Sequence, residues 1–151
     1  MDYAIQKATE LGVTTIQLLT SERCEMRLKY DRDQKKIDHW QSVAIAACEQ
    51  CGMNSVPEIL APIPLNEWLK SEELPPSRFV LAPNKDQENV LLNSTPDLAL
   101  LIGPEGGLSE AEIKAANQNH FQNWCIGDRV LRTETAPVVA LSVLNYHFSI
   151  K

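Results

Sequence analysis

The residues best suited to chemistry lie in LLIGPEGGLSEAEI, residues 100 to 113, where a short apolar run enters a turn holding Gly103, Gly106 and Gly107. A turn without side chains folds tightly and lets a ligand approach its backbone amides. The same composition also suits a plain strand-to-helix turn. A phosphate-binding loop needs a lysine and a hydroxyl residue directly after its last glycine, and here Leu108 and Ser109 follow Gly107. The dinucleotide spacing GxGxxG is absent as well. Glu105 stands in the turn, where a carboxylate repels phosphate but accepts hydrogen bonds from a cationic or hydroxyl-bearing ligand. The turn therefore favours a small ligand other than a nucleotide phosphate.

A second segment, IGDRVLRTETAPVVAL from Ile126 to Leu141, again joins a strand end to a helix start through polar residues. Ile126, Val130 and Leu131 can enclose a flat apolar group such as adenine, while Arg132, Thr133, Glu134 and Thr135 converge near a helix N-terminus. A purely structural alternative makes Glu134 a partner of the helix dipole and one of the threonines a cap. Cys48 and Cys51 form a CxxC pair, but Cys24 and Cys125 are isolated and no histidine sits at ligand spacing, so buried free thiols near a helix end are expected rather than a metal or redox site. His39, His120 and His147 are scattered singly and read as surface or satisfied core residues.

The elements that must position these segments alternate between the two periods. Residues 2 to 11 have apolar positions three to four apart and predict a short helix stopped by Gly12. Thr14 to Thr20 predicts a strand, and the pattern Ile37, Trp40, Val43, Ala44, Ala47, Cys48 predicts a long helix from Asp33 to Gly52. Pro57, Pro62 and Pro64 leave room only for a short strand at Glu58 to Leu60, followed by a minor helix in LNEWLK. Arg78 to Ala82 and Leu98 to Ile102 read as fully buried strands of a parallel sheet. Ser109 to Gln118 predicts a helix with a Ser109/Glu112 capping box, Trp124 to Ile126 another buried strand, and Thr135 to Phe148 a last helix with Pro137 in its first turn. This order implies an α/β fold with a mostly parallel sheet flanked by helices, ligands sitting beyond the carboxyl ends of the strands.

At 151 residues the chain has the size of one domain able to bury a real core. A hydrophobic fraction of 44% beside 23% charged residues excludes a disordered chain, and no apolar run is long enough to span a membrane. The first dozen residues lack a signal peptide's apolar stretch, so a cytoplasmic location is expected. The net charge of −6 opposes nucleic-acid binding by the chain as a whole. Affinity for RNA would need a local patch, for which Arg23, Arg27, Lys29, Arg32, Lys35 and Lys36, or Arg129 with Arg132, are the available basic groups, unless they are simply a solvated face.

GPEGGLSEAEI followed by IGDRVLRTETA resembles the RsmE family of bacterial methyltransferases, which methylate N3 of a uridine in small-subunit ribosomal RNA. IQKATELGVTTIQLLTSERCE and AACEQCGMNSVPEI are similar to that family too, so the resemblance covers nearly the whole chain. It implies a SPOUT fold, a parallel sheet flanked by helices whose C-terminal third threads a trefoil knot, a feature that no residue pattern would suggest. It implies S-adenosylmethionine as cofactor, held by Leu81, Ala82 and Pro83, by Ile102, Gly103, Glu105, Gly106 and Gly107, and by Ile126, Gly127, Val130, Leu131 and Thr133. Ribosomal RNA or the small ribosomal subunit would be the partner, and a homodimer the working form. Residues 1–151 would then be the catalytic domain without the family's N-terminal barrel-like RNA-binding domain, which fits the acidic charge. Two departures are Met53, where the family often has arginine, and Pro137, where a small or hydroxyl residue is more usual.

The chemistry such a reaction needs can be stated independently. Uracil N3 is a poor nucleophile while it holds its proton, so the base must be aligned with the methyl donor and the proton helped to leave. Arg132 is the candidate to orient the base or stabilise charge on its carbonyl oxygens, and Glu134 the candidate proton acceptor. No metal or membrane is required. Two other functions remain compatible with these residues: methylation of a different RNA by the same fold, and non-enzymatic binding of S-adenosylmethionine or RNA by a dimer.

Overall fold

The computed structural model describes residues 2–21, 30–52, 55–82, 97–103, 107–125 and 135–149. Helix α1 (Asp2–Glu10) leads into strand β1 (Thr15–Thr20), helix α2 (Tyr30–Cys51), strand β2 (Glu58–Pro64) and the short helix α3 (Leu65–Leu69). Strands β3 (Ser77–Leu81) and β4 (Leu98–Leu101), helix α4 (Glu110–Gln118), strand β5 (Gln122–Trp124) and helix α5 (Ala136–Ser149) complete the described order. The strands fall into two sheets, β1-β2 and β4-β3-β5, and every pairing between described strands is parallel. The expected α/β architecture of parallel strands flanked by helices is present, and among the described residues the strands form two sheets where one was expected.

Strand β3 explains how the larger sheet is covered. Phe79 packs with Trp124, Ala140 and Leu144 on the α5 side, whereas Val80 packs with Leu65, Leu69, Leu101 and Ala116 on the side of α3 and α4. Successive side chains of a strand point to opposite faces, so a strand apolar on both faces needs a helical layer on each. The Phe79 and Trp124 rings meet edge-on with centroids 5.9 Å apart. A separate cluster of Ile5, Leu18, Trp40, Ala44 and Ile59 seals α1 and α2 onto the β1-β2 pair. Of the two strands expected to be fully buried, β4 departs most: only Leu101 is buried, because among the described residues β4 pairs with β3 alone and so forms an edge.

Two other strands differ from expectation, and α2 begins at Tyr30 rather than at Asp33. β2 continues past Leu60 to Pro64 despite Pro62, because the register slips between Gln17 and Leu19 and gives β2 an extra residue there. The Gln17 amide nitrogen donates to the Ala61 carbonyl at 2.8 Å, so side-chain chemistry stands in for ladder bonds at the irregularity. β5 spans Gln122–Trp124 rather than Trp124 to Ile126, with Gln122 paired to Phe79 and Trp124 to Leu81. Its polar first residues pair through the backbone while Asn123 accepts a hydrogen bond from the Asn117 side chain at 2.8 Å.

The helix ends follow local chemistry. Gly12 has φ +90°, with Gly12 N–H donating to Thr9 and Val13 N–H to Ala8, the paired bonds of a Schellman stop. α4 ends in the same way, but the left-handed residue is His120 at φ +70°, with His120 N–H donating to Asn117 and Phe121 N–H to Ala116. A non-glycine residue pays about 1–2 kcal/mol for that conformation. His120→Gly is accordingly expected to raise unfolding stability by about 1 kcal/mol, read by urea denaturation. Unchanged or lower stability would show that the imidazole compensates for the strain. Arg78 fastens the same corner, donating through Nη1 to the Asn119 carbonyl and through Nε to the Pro75 carbonyl, both at 2.8 Å.

Candidate functional site

The parallel pairing sets the geometry of the site. Val80 lies opposite Leu101 and Leu81 opposite Trp124, so the carboxyl ends of β3, β4 and β5 lie side by side. Ala82 N–H donates to the Trp124 carbonyl at 3.2 Å, carrying the β3-β5 contact one residue beyond the strand. The three segments expected to hold a small ligand begin at those ends: after Ala82, at Ile102 and Gly103, and after Cys125. Ligands of parallel α/β sheets sit at this edge.

The turn leaving β4 is tight at both described ends. A Cβ placed on Gly103 would fall 2.9 Å from Leu108 Cγ and 3.2 Å from the Leu108 backbone nitrogen, so the start of the turn is pressed against its finish. Gly107 has φ +77°, a conformation L side chains rarely adopt. Helix α4 then starts at once: Ser109 Oγ accepts from Glu112 N–H at 3.1 Å and the Glu112 carboxylate accepts from Ser109 N–H at 2.9 Å. This reciprocal capping box, expected from the sequence, holds the amino end of α4 directly behind the glycines.

Of the expected cofactor residues, Leu81, Ala82, Ile102, Gly103 and Gly107 are brought to this edge. Pro83, Glu105, Gly106, Ile126, Gly127, Val130, Leu131 and Thr133 lie outside the described residues, as do Arg132, Glu134 and Met53. Thr135 is described, and its carbonyl accepts from Val139 N–H at 3.1 Å as α5 begins. Leu108 was not singled out by the sequence reading. The available signal was its position just before a capped helix start, with Ile113 five residues on, the spacing of a hydrophobic staple. An open cleft of about 360 Å³ lies nearby, between Ser21, Pro64, Asn66 and the first turn of α4, and among the described residues none of those expected to hold the cofactor lines it.

The CxxC pair is a separate feature. Cys48 is buried and its thiol donates to the Ser55 carbonyl, whereas Cys51 is exposed and donates to the Ala47 carbonyl. Burial of both thiols was expected, and Cys51 departs from it because it occupies the last turn of α2. Burial, and then the neighbouring Cys51, push the Cys48 thiol up from its ordinary value, which keeps it a protonated donor at neutral pH. Cys48, Cys51 and Cys125 are free thiols, and no group of three or more His, Cys, Asp or Glu side chains suited to a metal occurs among the described residues. No described helix is long and apolar enough to cross a membrane.

Comparison with known proteins places this geometry in context. A family described as RNA methyltransferase domain matches residues 1–145. The ribosomal RNA small subunit methyltransferase E of Buchnera aphidicola subsp. Schizaphis graminum is 38% identical over 152 residues, covering 98% of this chain and 61% of that protein. A Legionella pneumophila protein described as a methyltransferase, solved with bound cofactor SAM, superposes with TM-score 0.88 at 38% identity over 97% of this chain and 60% of its own. The ribosomal RNA small subunit methyltransferase E of Neisseria gonorrhoeae, solved bound to S-adenosyl methionine, gives TM-score 0.84 at 36% identity over 97% and 60%. The chain thus spans about three fifths of the length of these relatives. The resemblance carried by GPEGGLSEAEI and IGDRVLRTETA agrees with these names.

Proposed function

This chain belongs to the RNA methyltransferase domain family, and from that premise we propose that it transfers a methyl group from S-adenosylmethionine to N3 of a uridine in small-subunit ribosomal RNA. The observation that carries the reading is the edge where β3, β4 and β5 end together beside a glycine turn too tight for a Cβ at Gly103. Relatives sharing more than a third of the sequence bear the name ribosomal RNA small subunit methyltransferase E, and two similar structures hold the cofactor.

The residues fit such a cofactor. Gly103, packed closed, and Gly107, left-handed, offer backbone rather than side chains at the two ends of the turn. Without the lysine of a phosphate loop, it suits an uncharged nucleoside carrying a cationic sulfur better than a nucleotide. Leu81, Ala82 and Pro83, Ile102 with Gly103, Glu105, Gly106 and Gly107, and Ile126, Gly127, Val130, Leu131 and Thr133 are proposed to hold it. S-adenosylmethionine, when bound, supplies an activated methyl group on a sulfonium. Arg132 orients the uracil and stabilises negative charge on its carbonyl oxygens, while Glu134 takes the N3 proton.

The working form in this reading is a homodimer in the cytoplasm, with the C-terminal third threaded as a trefoil knot. What supports association is α5, whose sequence APVVALSVLNYHFS is apolar around most of its circumference and leaves Val143 37% and Tyr146 70% exposed. The net charge of −6 predicts that RNA is held weakly by this chain. Calorimetric titration with S-adenosylhomocysteine tests the reading: saturable binding with one site per chain is expected, and a folded chain showing no heat at millimolar ligand would refute it.

A further inference from the structure

We propose that Leu108 is a positioning residue for the cofactor turn, a wedge whose side chain sets where the backbone of Gly103 sits. The proposal rests on the methyltransferase reading and adds a role that the glycine pattern does not contain.

Three observations meet at this residue. The Cγ of Leu108 lies 2.9 Å from the point where a Cβ of Gly103 would be, so the leucine occupies the space that glycine leaves vacant. The same half-buried side chain packs against the core cluster holding Ala82, Leu101, Val80 and Leu65, which includes the ends of β3 and β4. Leu108 also immediately precedes the Ser109 cap, and Ile113 packs against the same cluster, so its backbone is fixed by α4 and its side chain by the core. A side chain anchored at both levels and pressed on Gly103 transmits the position of the sheet to the turn. Removing it leaves the turn with one wall missing, and misplacement of a binding loop by about 1 Å can reduce function on the order of a hundredfold.

The test compares affinity for S-adenosylhomocysteine and thermal midpoint across a small set of variants of the full chain. Leu74 is the matched control: half-buried against the same cluster but preceding β3, at the opposite end of that strand from the site. Leu108→Ala is expected to weaken binding about tenfold or more, whereas Leu74→Ala lowers the midpoint comparably and leaves affinity within about twofold. Leu108→Met, close in volume, should restore affinity to within about threefold. Gly103→Ala should weaken binding in the parent and lose part of that penalty when combined with Leu108→Ala, because the nearest clashing atom is then gone while the Leu108 backbone nitrogen at 3.2 Å remains. If Leu108→Ala unfolds, Leu108→Val tests the anchor instead, since it keeps a γ carbon against Gly103 but loses both δ carbons, and affinity equal to the parent's would again overturn the proposal.

Equal affinity in the parent and in Leu108→Ala, or strict additivity with Gly103→Ala, overturns the proposal while leaving the cofactor reading intact. A parent chain that binds no ligand overturns both, and so marks the failure of the cofactor reading.

Discussion

A chain carrying Gly107→Trp is expected to lose affinity for S-adenosylhomocysteine by about a hundredfold or more while remaining folded. Two effects act together. Gly107 has φ +77°, so any bulky residue there is strained by about 1–2 kcal/mol, and the indole also fills space that a ligand would use to approach the turn. Strain alone leaves a domain with a typical stability of about 5–15 kcal/mol folded. Gly52 supplies the control: its φ is +72° with nothing within 4 Å of an added Cβ, so Gly52→Ala incurs a similar backbone penalty at the end of α2 without touching the site. Calorimetry with circular dichroism on both variants separates the two effects. Full affinity in Gly107→Trp would place the cofactor elsewhere, whereas equal loss in both variants would make the effect one of stability.

The second large effect concerns catalysis. Arg132→Ala is expected to lower kcat for methyl transfer by about 10²–10³-fold while affinity for S-adenosylhomocysteine changes little. The expectation follows from the charge that builds on uracil oxygens as N3 loses its proton, which a positioned guanidinium stabilises only as the reaction proceeds. Loss of cofactor affinity in proportion to rate would make Arg132 a binding residue instead. Glu134→Gln divides the two roles open to that carboxylate. A proton acceptor gives a large fall in rate, and a helix-dipole partner gives about 0.3–1 kcal/mol of lost stability with the rate unchanged.

Much of this site was legible because its signals are local. The run Leu98 to Leu101, the glycines after it and the Ser109/Glu112 spacing each predict one backbone feature, and the strand, the left-handed Gly107 and the capped helix occur where those residues place them. The helix stops at Gly12 and Gly52 are legible for the same reason: left-handed backbone is nearly costless only for glycine. His120 was not, because nothing in a histidine announces that it will take the left-handed position ending α4. β5 was misplaced by two residues because its pairing to β3 is a backbone matter that Gln122 and Asn123 do not advertise. β2 was cut short because Pro62 normally ends a ladder, and the bulge that admits it depends on a partner strand distant in sequence.

Leu108 shows the limit most clearly. Its place before a capped helix is visible in the sequence, but its pressure on Gly103 exists only once the turn has closed. Arg132 and Glu134 rest on residue chemistry and family resemblance alone, since they lie outside the described residues.

The central claim is tested most directly by incubating the chain with S-adenosylmethionine bearing a labelled methyl group and small ribosomal subunits lacking the modification, then digesting the RNA to nucleosides for mass spectrometry. The account predicts label in 3-methyluridine from small-subunit RNA, dependent on the chain and abolished by Gly107→Trp. Label on another base or another ring position, or none from a chain that binds S-adenosylhomocysteine, would contradict it.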